Sequence, residues 1–163
     1  MIIIKYKKCH QDAKDLVFTP GNVGVDIASV EDVCVEPNER ELIRTGIKIN
    51  MPKCIGIDDK DINDAYDCSI GQTLMAKIEG RSGLAMKKGV FPIGGIIDPS
   101  YCGEIYVILF NSDRFPFIVK SGDRIAQLVF YTCLAGQQIH FTEHNDEWQK
   151  TERDEKGFGS SGI

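Results

Sequence analysis

The most constraining feature of this chain is something it lacks: nowhere does it carry a long amphipathic helical period. Apolar residues instead alternate over short runs that glycine or proline soon stops. Leu42 to Asn50 sets Leu42, Arg44 and Lys48 among Ile43, Thr45, Ile47 and Ile49, the period of two expected of a strand with one wet face. Thr73 to Ile78 repeats this with Leu74, Ala76 and Ile78, and Glu104 to Phe110 is rich in isoleucine, valine and aromatics. Met1 to Tyr6, Phe115 to Val119, Asp123 to Tyr131 and Gln137 to Thr142 also read as strands. Many short strands with frequent turns indicate an all-β sandwich or barrel.

A chain of 163 residues is one domain with room for a real core, and 42% hydrophobic with 26% charged residues is ordinary for such a domain. Apolar runs such as Ile2-Ile3-Ile4 are far too short to cross a bilayer, and no signal peptide is evident. These features place the protein in the cytoplasm or nucleus, or in the host cytoplasm if the source is viral. A net charge of −5 argues against direct nucleic-acid binding, which needs a basic surface. It leaves room for an anionic ligand held by a few arginines and a metal ion. The six cysteines show no CxxC pair, so reduced thiols acting as small apolar residues are expected. Pro52 to Gln72 has no periodicity and holds Asp58, Asp59, Asp61 and Asp64 without the glycine and terminal glutamate of an EF-hand, so it reads as a long exposed loop or a small hairpin.

Several stretches carry chemistry. Gly94 to Asn111 reads as a strand, a tight turn bearing Asp98, Pro99 and Tyr101, and a return strand after Gly103, with glycines that let a flat ligand approach the backbone. An ordinary hairpin is the bland alternative. Asp26 interrupts apolar Gly24 to Ser29, either as an edge-strand residue facing water or as a carboxylate aimed at a metal-bound water. Gly80 to Gly89 suits one or two helical turns, with Ser82 as N-cap and Gly89 as the stop. A helix start beside Arg81 forms a phosphate seat, or it is a plain capped helix with a chance arginine. Gln127 stands polar among apolar neighbours. From His144 the hydrophobic pattern stops, and Gly157 to Gly162 combines flexible backbone, Phe158 and two hydroxyls, suited to a flap over a ring and a phosphate.

Five of these stretches, in order, resemble the motifs of the trimeric dUTPases: GVDIAS from Gly24, GRSGLA from Gly80, GIID from Gly95 with Tyr101 and Gly103, GDRIAQL from Gly122, and Arg153 with GFGSSG from Gly157. The resemblance spans nearly the whole chain. It implies a jelly-roll-like β-barrel or sandwich over residues 1–148, one short helix after the second motif, and a flexible C-terminal arm over 149–163. It implies a homotrimer with shared active sites that hydrolyses dUTP to dUMP and pyrophosphate with Mg2+. By the same resemblance, Asp98 orients the attacking water, Tyr101 sits under the deoxyribose, and the backbone of Gly95, Ile96 and Ile97 pairs with uracil. Arg81, Ser82, Gly83 and Gln127 hold phosphates. Asp26 binds waters on the magnesium, with Gln127 as an indirect contact. Phe158 stacks on uracil, and Arg153, Gly159, Ser160 and Ser161 close on the phosphates.

Two features depart from the family pattern. Asp154-Glu155-Lys156 stands between Arg153 and Gly157, where small residues are usual. The 52–72 loop is longer than the usual connection and is a surface elaboration or a docking site for another protein. Two other functions fit the same residues. A dCTP deaminase shares the fold, although the GRSGLA run and GFGSSG tail favour dUTPase. A binding module that keeps the nucleotide site as a switch for a partner is the alternative from outside enzymology.

Overall fold

The computed structural model describes residues 2–52, 72–134, 139 and 141–143. Strands β1 (Lys5–Lys8), β2 (Gly24–Ala28), β3 (Val33–Val35), β4 (Arg40–Asn50) and β5 (Thr73–Glu79) precede a single short helix, α1 (Ser82–Lys88). Strands β6 (Val90–Pro92), β7 (Ile96–Ile97), β8 (Glu104–Asn111), β9 (Phe117–Val119) and β10 (Arg124–Cys133) follow it. The strands form two antiparallel four-stranded sheets, ordered β1-β4-β8-β6 and β2-β10-β5-β7, with β3 and β9 as a separate pair.

The alternation explains the layering. Ile43, Thr45, Ile47 and Ile49 of β4 point inward with Ile105, Val107 and Leu109 of β8. They meet Leu74, Ala76 and Ile78 of β5 and Val25, Ile27 and Leu128 of the other sheet in one apolar cluster. The all-β sandwich expected from the sequence is therefore what forms. β4 keeps its alternation through an irregularity: between Arg44 and Lys48 its register against β8 shifts by two residues, so no side chain changes face. Gly46 in that bulge has φ +65° and packs so close to His10 and Ala13 that no Cβ would fit.

Several local expectations need correction. β1 starts at Lys5 rather than Met1, because Lys5 already pairs with Asn50, the last residue of β4. β9 starts at Phe117, because the Asn111 side-chain amide takes the Phe115 carbonyl at 2.8 Å and holds that segment as a turn. The helix begins inside the second motif, and its cap is Arg81 with no side-chain hydrogen bond, so Ser82 is the first helical residue and not the N-cap. Gly89 does end it, in a left-handed conformation at φ 62°. The hairpin around Asp98 is not one: β7 pairs with β5 while β8 pairs with β4 and β6, so its two arms lie in opposite sheets. Cys9, Cys34 and Cys102 are free but exposed on edges and turns, and Cys133 is half-buried, so these thiols are not core residues. Of the expected strand from Gln137 to Thr142, Ile139 and residues 141–142 are in no strand, and the rest lies outside the described residues. Residues 53–71 of the acidic loop and the whole 149–163 arm also lie outside them.

Candidate active site

Crossing from one sheet to the other opens a cleft. The chain leaves β7 at the edge of one sheet, turns, and enters β8 in the other. A cavity of about 250 Å3 remains between the edges, lined among others by Gly95, Ile96, Ile97, Asp98, Tyr101 and Tyr106. Gly94 and Gly95 make the approach possible with φ 69° and 98°. A Cβ on Gly95 would lie 2.9 Å from the Ile78 carbonyl oxygen, which is too close for any side chain. The Ile78 N–H donates to the Gly95 carbonyl at 2.8 Å and ties the cleft wall to β5.

Asp98 and Tyr101 sit on the turn at the cleft. The Tyr101 N–H donates to the Asp98 carbonyl at 3.0 Å, closing a four-residue turn. The Tyr101 hydroxyl folds back and donates to the Glu104 carbonyl at 2.7 Å. Its ring lies over Gly103, where a Cβ would overlap the ring carbons. Asp98 is exposed, and no donor among the described residues pairs with its carboxylate. Five residues that the sequence singled out thus line one cavity.

A second group gathers on the outer face of the β2-β10-β5-β7 sheet. Asp26 on β2, Gln127 on β10 and Glu79 on β5 lie in one row across three strands. β2 is an edge strand, but Asp26 does not simply face water. Its carboxylate forms an ion pair with Arg81 Nε at 3.1 Å and accepts a hydrogen bond from Arg124 Nη1 at 3.0 Å. Arg81 also donates from Nη1 to the Arg124 carbonyl at 2.9 Å. Gln127 donates from Nε2 to the Gly80 carbonyl at 2.9 Å, and its amide oxygen occupies the space beside Gly24, 2.6 Å from where a Cβ would stand. Ser82 and Gly83 are exposed on the first turn of α1 beside Arg81. Two guanidiniums converge on one carboxylate, and the fork of each arginine keeps donors that a phosphate could take.

Arg81 and Arg124 line a separate depression of about 320 Å3 that shares no residue with the cleft. The structure therefore brings the predicted residues together in two groups, one at the cleft and one around the Asp26 ion pairs. Arg153, Phe158, Gly159, Ser160 and Ser161 fall outside the described residues. Sequence reasoning missed Arg124, whose motif it quoted without giving the arginine a role. The sequence showed only a cation directly after the Gly122-Asp123 turn; the pairing that brings it to Asp26 was not readable. It also missed Glu104. Burial pushes that carboxyl up, but Arg44, the Gly46 N–H and the Cys9 thiol outweigh burial and hold it below the ordinary range.

Comparison with known proteins bears on both groups. The sequence model of the dUTPase family matches residues 63–162. The deoxyuridine 5'-triphosphate nucleotidohydrolase of Monkeypox virus is 37% identical over 148 residues, a match spanning 89% of this chain and 80% of the viral protein. The chain belongs to the dUTPase family. The fold agrees: a mutant of the Staphylococcus bacteriophage 80alpha dUTPase, solved with dUpNHpp, superposes with a TM-score of 0.78 at 21% identity over 99% of both chains. The dUTPase of phage phi11 of S. aureus, described with a structural Mg(II) ion, superposes with a TM-score of 0.65 at 18% identity, covering 92% of this chain and 99% of the phage chain. Among the described residues no helix is long and apolar enough to cross a membrane.

Proposed function

We propose that this dUTPase-family chain hydrolyses dUTP to dUMP and pyrophosphate, which limits uracil entry into DNA and supplies dUMP for thymidylate synthesis. The observation that carries the reading is the cleft, where Asp98, Tyr101 and the Gly95–Ile97 backbone converge. A planar base enters against the glycine-lined wall, where no Cβ projects. The Gly95 carbonyl already accepts from Ile78, so base pairing falls on the remaining backbone groups of Gly95 to Ile97. Tyr101, held at both ends, underlies the sugar and leaves no space for a 2′-hydroxyl.

Asp98 takes a proton from a water that attacks the α-phosphorus. The bond between that phosphorus and the α–β bridging oxygen breaks, and pyrophosphate leaves with the electron pair. Arg81 and Arg124 offset the charge on the leaving group, Ser82 and Gly83 offer donors at the start of α1, and Gln127 lies beside them. Arg153, Phe158, Gly159, Ser160 and Ser161 complete the site from the C-terminal arm.

The carboxylate of this patch, not its arginines, suits magnesium. Mg2+ keeps several waters and takes one or two carboxylates plus substrate phosphates, and Asp26 is such a carboxylate, 38% exposed on an edge strand. No cluster of three or more acidic, His or Cys residues exists among the described residues, so a dedicated all-protein cage is not what they offer. The chemistry such an ion would supply is neutralisation of phosphate charge. Asp26 would hold its waters, with Gln127 in indirect contact.

The separation of cleft and cation patch supports a homotrimer in which different subunits complete each site. A pyrophosphate-release assay across the deoxynucleoside triphosphates tests the activity: dUTP alone should turn over. Ammonia from dCTP would move the chain to the deaminases, and tight dUTP binding without turnover would favour the switch module. The shared site has its own test. Asp98→Asn protein and protein lacking residues 150–163 should each be nearly inactive, yet regain activity when refolded together. Mixed oligomers that stay inactive would return the whole site to one chain.

A further inference from the structure

Glu104 opens β8 with a side chain only 10% exposed, and a carboxylate in such a place must be paired. All its closest partners come from the β4 bulge. Arg44 grips it with Nε at 3.2 Å and Nη2 at 3.0 Å, and the Gly46 N–H donates at 2.9 Å. The bulge is itself held on every side. Glu31 accepts the Arg44 N–H at 2.8 Å, Cys9 N–H donates to the Gly46 carbonyl at 2.8 Å, and Thr45 Oγ1 donates to the Ile105 carbonyl at 2.6 Å.

An ion pair whose arginine is 39% exposed adds little stability, because water screens it. What it does provide is position. The backbone it fixes is the one whose carbonyl accepts the Tyr101 hydroxyl. From Tyr101 to Glu104 the chain closes a small loop through that single side-chain bond, with Gly103 admitting the ring between. A shift of the Glu104 carbonyl therefore swings the ring at the cleft.

We propose that Glu104, held by Arg44 and the Gly46 N–H, is a positioning residue that sets the Tyr101 ring and through it the preference for a 2′-deoxy sugar. The inference rests on the dUTP-hydrolysing reading for its second half only. Glu104 touches no substrate and acts through Tyr101.

The test uses Glu104→Gln, Glu104→Ala, Arg44→Ala and Arg44→Lys in the full chain. Two quantities are read: the ratio of kcat/KM for dUTP over UTP, and the 19F resonance of 3-fluorotyrosine at position 101, assigned with Tyr101→Phe. Glu104→Ala and Arg44→Ala should lower the ratio about tenfold, the scale at which a pocket judges a small group, and should shift or broaden the 101 resonance. Arg44→Lys should rescue part of both, since an ammonium restores charge but not the two-pronged geometry. Adding Glu104→Ala to Tyr101→Ala should cost no further selectivity. A resonance unmoved in Glu104→Ala overturns the clamp, whatever the enzyme hydrolyses. A moved resonance with an unchanged ratio overturns the link to sugar choice. A lower melting temperature with both readouts unchanged reduces Glu104 to a structural residue and overturns the proposal. If Glu104→Ala does not fold, the isosteric Glu104→Gln decides by the same readouts. Absence of dUTP turnover in the unaltered protein would sink the proposed function, and the resonance would still decide the clamp.

Discussion

The cleft beside β7 and the cation patch beside β2 are built by opposite means. The cleft is shaped by backbone: glycines at positive φ, a carbonyl bonded to β5, and a tyrosine closed onto the main chain. None of that depends on a ligand. The patch is built from long side chains that hold one another, with Asp26, Arg81 and Arg124 exposed by 38%, 30% and 62%. Ion pairs so open to water contribute about 0–1 kcal/mol each, so a phosphate or a hydrated cation can exchange into them. The difference teaches a division of labour. The rigid half selects a shape, and the yielding half accommodates charge that differs between substrate and product.

If that division is right, the largest single loss comes from Asp98, the one reactive group on the rigid half. Asp98→Asn keeps the volume but cannot take a proton, so turnover should fall by a factor on the order of 10² or more. Binding of a non-hydrolysable imido analogue, measured by calorimetry, should stay close to that of the unaltered protein. Near-normal turnover would leave Asp98 as a turn residue and empty the cleft of chemistry.

Removing Arg81 should act on binding instead. A hydrogen bond to a charged group contributes roughly 1.5–3 kcal/mol, so Arg81→Ala should weaken analogue affinity by about ten- to a hundredfold. Arg124→Ala should cost less, about three- to tenfold on the same scale, because its side chain is twice as exposed as that of Arg81. Titration of both variants checks the order. Equal losses would mean that the two arginines act as one rigid unit, and the patch would then resemble the cleft.

What the sequence made legible follows the same division. Alternation in β4, β5 and β8 was readable because burial on one face forces a period of two on local sequence. The cleft residues were readable because a glycine, an Asp-Pro step and a tyrosine lie within a few positions of each other. Pairing was not readable. That β7 and β8 part company into different sheets is settled by β5 and β4, far away along the chain. The union of Asp26 with Arg81 and Arg124 was hidden for the same reason, because three separate elements must meet to form it. Glu104 looked like the polar start of a strand until Arg44, sixty residues away, was seen to hold it.

Glycine substitutions separate the halves more finely. Gly95→Ala forces a Cβ against the Ile78 backbone in a conformation, φ +98°, that L-residues rarely adopt. The fold should lose about 1–3 kcal/mol, the range for strained backbone positions, read as a lowered denaturation midpoint. Catalysis should fall with it, because the wall that moves is the wall the base would touch. A variant of full stability and activity would show that the cleft yields, contrary to its geometry.

Gly83→Ala is the smallest effect and the closest test of the contrast. Gly83 lies in the first turn of α1, its φ is not positive, and a Cβ there would meet nothing within 4 Å. Glycine inside a helix is less favourable than alanine by about 0.8–1.0 kcal/mol, and less than that near a helix end. The variant should therefore be more stable by a few tenths of a kcal/mol, a rise of about one or two degrees in melting temperature for a chain of this size. If phosphate is gripped here by movable side chains and an N–H group, the added methyl points into open space. kcat/KM should then change less than about threefold, well under 1 kcal/mol in barrier. A stabilised variant whose activity nonetheless collapses would mean that phosphate packs against this turn as closely as a base against Gly95. The cation patch would then be a second mould, and rigid selection would extend over the whole substrate.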